Sequence, residues 1–157
     1  RLFQLEGETI SFAALLAIEH GLERLTLDRL LGSILEAQGF RVTAVQQGSA
    51  ESGVLIASKG ELGLGPKVVL NVIPLHEKLG FERLKNCAIV RQKHQADRYV
   101  LGIWEDELAG EAHRELLTQG WVIWNRVQIL THFLASYRVL DDVTKASFGL
   151  KAVWVPR

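Results

Sequence analysis

The chain has 157 residues, 48% of them hydrophobic, with 18 basic and 18 acidic side chains and no formal net charge. That is the length of one domain with material for a sizeable core, and the balanced charge lacks the basic excess that marks a free-standing nucleic-acid binder. A single cysteine, Cys87, excludes an intramolecular disulfide and fits a reducing compartment. No apolar run approaches the ~18 residues that span a bilayer, so the expectation is a cytoplasmic protein with no membrane partner. The chain begins with Arg1, contains no Met and shows no leader-type segment, which reads as an excised piece of a longer product.

Residues 1–24 read as an N-terminal helical extension. The apolar run Ile10–Ile18 predicts a helix packed on the core, with a dimerisation surface as the other reading. A clearer helix follows over Thr26–Gln38. Thr26 stands at its N-cap, Asp28 lies in its first turn, and Leu27, Leu30, Leu31, Ile34 and Leu35 recur at helical spacing. Gly39 closes it. A strand then runs over Arg41–Gln46. Two more strands, Val54–Ser58 and Lys67–Ile73, flank the glycine-rich segment Gly60–Pro66. Those glycines precede a strand, so no helix N-terminus awaits a phosphate, and a hairpin connection is the better reading.

Pro74 ends the third strand. Beyond it the pattern predicts a helix over Phe81–Gln95, a buried strand over Tyr99–Trp104, a helix over Glu107–Gln119, a buried strand over Trp121–Trp124 and a helix over Val127–Tyr137. Residues 25–137 thus make the core. Residues 138–157 make a C-terminal extension, with a turn or short helix at Asp141–Ala146 and an apolar run, Leu150–Val155, suited to an added edge strand. Strands alternating with helices argue an α/β domain with a central mixed β-sheet between helical layers. The first three strands are expected to form an antiparallel meander, and the last two, entered through helices, to be parallel.

This order resembles the restriction-endonuclease-like superfamily, above all its Mrr-like branch. The branch opens with an acid near the start of a helix that ends in Gly-aromatic, matched by Leu27-Asp28 and Gly39-Phe40. Its second strand carries Asp-Gly-Gly-Ile-Asp-Leu, matched by Glu51-Ser52-Gly53-Val54-Leu55-Ile56, and its third carries Gln/Glu-X-Lys, matched by Asn71-Val72-Ile73. Ala96-Asp97, Glu111-Ala112 and the run Gly120–Trp124 follow the later pattern. The resemblance covers roughly residues 25–135 and implies a three-layer fold and a DNA-processing or defence setting.

The departures fall where the resemblance places the chemistry. The family's second-strand Asp and third-strand acid or amide hold a divalent metal, and its Lys stabilises developing charge. Mg²⁺ needs oxygen ligands. Here Leu55 supplies no oxygen, Ile73 no charge and Asn71 only a neutral carbonyl, with Asp28 left on the helix. Such replacements turn a polar cleft into core, since unpaired charges between strands are costly. The expectation is a pseudonuclease with no metal or cofactor. A relocated Mg²⁺ site drawn from Glu51, Glu61, Lys67, His76, Glu77 and Lys78 is the rival, and a different strand alignment is the third possibility.

Among other constellations, Lys78, Arg83, Lys85, Arg91, Lys93 and Arg98 form a basic-leaning segment that suits either phosphate contact or a solvated face. The five histidines are dispersed, with no HExxH or Cys/His set, so zinc is not expected. Cys87 reads as a buried structural thiol. Trp104, Trp121 and Trp124 read as core, and Trp154 as core or a partner contact. The functional expectation is a non-catalytic scaffold or partner-binding domain, by protein partner or self-association. A DNA-binding pseudonuclease and a nuclease with displaced ligands are the alternatives.

Overall fold

The structure is a computed structural model and describes residues 2–5, 8–23, 25–44, 53–105 and 110–148. Two short strands, β1 (Leu2–Leu5) and β2 (Glu8–Ser11), pair as an antiparallel hairpin ahead of helix α1 (Phe12–Gly21). The N-terminal extension is therefore not purely helical. The apolar run that predicts a helix from Ile10 is shared between strand and helix.

Helix α2 (Leu27–Ala37) buries Leu27, Leu30, Leu31, Ile34 and Leu35, the stripe its spacing predicts. Thr26 takes the N-cap position with extended backbone, but its side chain makes no capping bond. Gly39 takes a left-handed φ of 95°, and the Phe40 N–H donates to the Leu35 carbonyl at 3.0 Å, closing the helix as a C-terminal glycine does.

Strands β3 (Arg41–Ala44), β4 (Val54–Ser58) and β5 (Lys67–Val72) form the expected antiparallel meander. Helix α3 (Phe81–Lys93) leads to β6 (Arg98–Gly102), parallel to β5; α4 (Gly110–Gln119) leads to β7 (Val122–Trp124), parallel to β6. The sheet order is β3-β4-β5-β6-β7. Helix α5 (Arg126–Ser136) starts on a capping box in which Asn125 and Gln128 bond each other's backbone N–H groups. Helix α6 (Asp142–Phe148) follows a 3-10 turn, where the sequence predicts a turn or short helix. The run Leu150–Val155, with Trp154, lies outside the described residues.

The protein is thus α/β, with, among the described residues, a five-stranded mixed sheet between two helical layers. Side-chain alternation along the strands divides the core in two. Leu55, Ala57, Val68, Leu70, Val72 and Val100 pack with α1, α2, α5 and α6. Val54, Val69, Ile73, Tyr99, Leu101 and Ile103 pack with Cys87 and Val90 of α3, Leu116 of α4 and Trp121. Close packing reaches the backbone at Gly102, where a Cβ would sit 2.5 Å from Leu31 Cδ1. Gly53 enters β4 at φ 82°, where a Cβ would meet the Val72 carbonyl oxygen at 2.7 Å.

Candidate functional site

The positions singled out in the sequence do not gather in one place. Val54 pairs with Asn71 and Leu55 with Leu70 across β4 and β5. Because side chains alternate, Leu55 belongs to the α2 face and Asn71 and Ile73 to the α3 face. The motif alignment sets Leu55 beside Asn71; the sheet separates them by its own thickness. The side chain that shares a face with Asn71 is Val54, one residue earlier. Both alternatives are apolar and buried, Val54 at 1% and Leu55 at 7% exposure.

Asn71 is itself buried, and its amide nitrogen donates to Cys87 Sγ at 3.5 Å. Burial pushes the Cys87 thiol up to about 11 against a weaker lowering by Arg83. A protonated thiol beside a neutral amide is a packing arrangement with no charge to offer a metal. Ile73 is buried next to them, its backbone N–H held by the Gly102 carbonyl at 2.9 Å.

On the other face, Asp28 and Leu55 line one groove of about 590 Å³ between α2, the β3–β4 edge and α6. Arg29, Ser33 and Glu36 extend it along α2, and Asp141 and Thr144 form the far side. The Asp141 carboxylate caps α6, accepting from the Thr144 N–H at 3.0 Å and the Thr144 hydroxyl at 2.6 Å. Thr144 in turn lies 3.0 Å from Ser33 Oγ, which ties α6 to α2. The Thr144 hydroxyl, chiefly, holds the Asp141 carboxyl below its ordinary value, against a smaller opposing push from burial. Val139 and Val143, 66% and 68% exposed, form an apolar rim.

The relocated candidates do not converge. Glu61 sits in the 3-10 turn of the β4–β5 hairpin, and Lys67 pairs with Ser58 at the hairpin end of the strands. Four residues of strand, about 13 Å, separate that end from Val54 and Asn71. His76, Glu77 and Lys78 follow β5 at the opposite end, with His76 exposed at φ 70° and Glu77 paired to Arg83. Glu51 lies outside the described residues. Among the described residues no group of three or more His, Cys, Asp or Glu side chains is arranged to hold a metal ion.

The basic segment also disperses. At about 100° per residue, Arg83, Lys85, Arg91 and Lys93 project at about 0°, 200°, 80° and 280° around the axis of α3. Arg83 pairs with Glu77, and Lys78 shares its shallow pocket with Glu77, Glu82 and Arg83. Lys85 lines the α3–α4 groove beside Glu111 and Glu115. Arg91 stacks 3.8 Å from the Tyr99 ring and donates to the Gln119 carbonyl at 3.1 Å, a structural clamp between α3 and α4. Arg98 is exposed at the start of β6.

A second cavity, of about 420 Å³, escapes sequence reading. It opens where β5 and β6 begin, and brings Trp124 of β7 against His132 of α5 with ring centroids 4.4 Å apart and planes 18° apart. Neither residue carries a motif, and their eight-residue separation is bridged only by the packing of α5 on the sheet. No helix among the described residues is long and apolar enough to cross a membrane. Compared with protein-family models, with curated proteins and with solved structures, the chain matches none.

Proposed function

We propose that this chain is a restriction-endonuclease-like domain without catalytic activity, serving as a scaffold or partner-binding module of a DNA-processing or defence protein. One observation carries the reading. Each position at which the resemblance expects a metal ligand or a lysine, on β4 and at the end of β5, is a buried side chain without charge: Leu55 is 7%, Asn71 2% and Ile73 1% exposed. That conclusion is the same whether Leu55 or Val54 stands for the strand's acid. The three-strand meander followed by two parallel strands supports the family reading. The apolar rim of Val139 and Val143 beside the Asp28 groove supports partner binding over catalysis.

The test is incubation with linear and supercoiled DNA in Mg²⁺ or Mn²⁺, alongside a salt series of DNA binding and sedimentation across protein concentration. Intact DNA and no salt-dependent affinity are the expected results. Cleavage lost on Asp28→Ala would overturn the non-catalytic reading. Binding lost on Lys93→Ala plus Arg98→Ala would favour a DNA-binding pseudonuclease.

A further inference from the structure

The second cavity has chemistry that neither a scaffold nor a lost nuclease site explains. Its floor is the aliphatic face of the sheet, Val68, Leu70 and Val100. One wall is the Trp124–His132 stack, and Phe40 adds another ring. The Gln38 side-chain amide lies 3.2 Å from His132 Nδ1 and holds the ring in the wall. Burial lowers the His132 pKa below its ordinary 6.5, so the wall is neutral at neutral pH.

The rim is charged. Lys59 and Arg98 are both exposed and both line the opening. Lys59 Nζ stands 5.2 Å from the Phe40 ring centroid, and neither cation pairs with a carboxylate among the described residues. The one acid at the opening among the described residues, Asp97, is engaged, its Oδ2 accepting from the Lys67 N–H at 2.8 Å. An apolar interior of this size with a few polar groups at one side is the usual form of a small-molecule site, for which about 300–1,000 Å³ is typical. Flat neutral rings favour a flat ring in offset or edge contact. Two cations against one engaged carboxylate favour an anion through charge-assisted hydrogen bonds.

We propose that the cavity beneath α2 and α5 binds a small planar aromatic carboxylate, with its ring against Trp124 and His132 and its anionic group at Lys59 and Arg98. The site lies at the end of the sheet opposite Asn71 and Ile73, so it is independent of the nuclease resemblance.

The experiment titrates the protein with 2-naphthoate by calorimetry and follows the Trp124 indole and His132 ring signals by NMR. Saturable one-to-one binding is expected with a Kd below about 1 mM, shifting those two residues. Uncharged 2-naphthamide should bind at least about tenfold more weakly, as should naphthoate to the Lys59→Gln/Arg98→Gln variant. Both substitutions are at exposed positions and should leave the unfolding midpoint unchanged; the amide comparison on the unaltered protein is independent of folding. No saturation by about 10 mM, equal affinity for the amide, an unaffected variant, or shifts confined to residues elsewhere would each overturn the proposal.

Discussion

Replacing Ile73 with lysine tests the hydrocarbon-filled site directly. Ile73 is 1% exposed and packs in the cluster of Val54, Cys87, Val90, Leu101 and Ile103, and no carboxylate is buried among the described residues. An ammonium there has neither water nor a counter-charge, so the lysine must enter neutral. Giving up a proton whose ordinary value is near 10.4 costs about 4.6 kcal/mol at pH 7, at about 1.36 kcal/mol per pH unit. That is comparable with the whole stability of a small domain, about 5–15 kcal/mol. The folded state binds fewer protons than the unfolded one, so the stability of Ile73→Lys must rise with pH, by about 1.4 kcal/mol per unit from pH 7 to about 10. Ile73→Met, with nearly the same volume and no charge, should lose less than about 1.5 kcal/mol at any pH. Urea denaturation of the three proteins between pH 6 and about 10 measures both effects. A lysine variant within about 1 kcal/mol of the parent, with no pH slope, would mean that position 73 opens on a polar cleft. Nuclease activity in that variant would mean the same.

Three further outcomes follow from named contacts. Asp141→Ala removes the cap of α6 and one partner of the buried Thr144 hydroxyl, and should cost about 1–2 kcal/mol in urea denaturation, with Asp141→Asn recovering most of it. Because Asp141 is held below its ordinary 3.8, its contribution is present above that pH and disappears as pH falls through the folded value. His132 has a lowered pKa, so the unfolded chain takes up its proton first as pH drops through 6.5. Stability should fall between pH 7 and 5, less so in His132→Gln, and an NMR titration should place the His132 midpoint below its ordinary 6.5. Cys87, buried with its thiol raised to about 11, should resist iodoacetamide at pH 8 in the folded protein and react at once in denaturant; rapid native labelling would show that the α3 face of the sheet is open.

Much of the architecture is legible in the sequence because it rests on local periodicity. The stripe of Leu27, Leu30, Leu31, Ile34 and Leu35, the glycine after α2 and the short β-branched runs each specify an element without a partner. The capping box of Asn125 and Gln128 was equally readable, as an Asn followed three residues later by Gln ahead of an apolar helix. The hairpin Leu2–Ser11 was not, since eight residues of strand gain their identity only by pairing.

The site is different. A sequence alignment orders Leu55 and Asn71 but carries no information on strand register, and one residue of register exchanges the faces of a sheet. A run of cations on α3 looks continuous in print, yet a turn of 3.6 residues scatters it around the helix. Glu61 and His76 are fifteen positions apart and belong to opposite ends of the same strand pair. The sequence by itself determined that the positions which the resemblance would assign to the chemistry carry Leu55, Asn71 and Ile73, with neither a carboxylate nor a lysine among them, because that is a matter of atoms. Which face each one occupies, and that Trp124 meets His132 above an open floor, was decided only when the strands paired and the helices packed on them, because those are distances between residues remote in the chain.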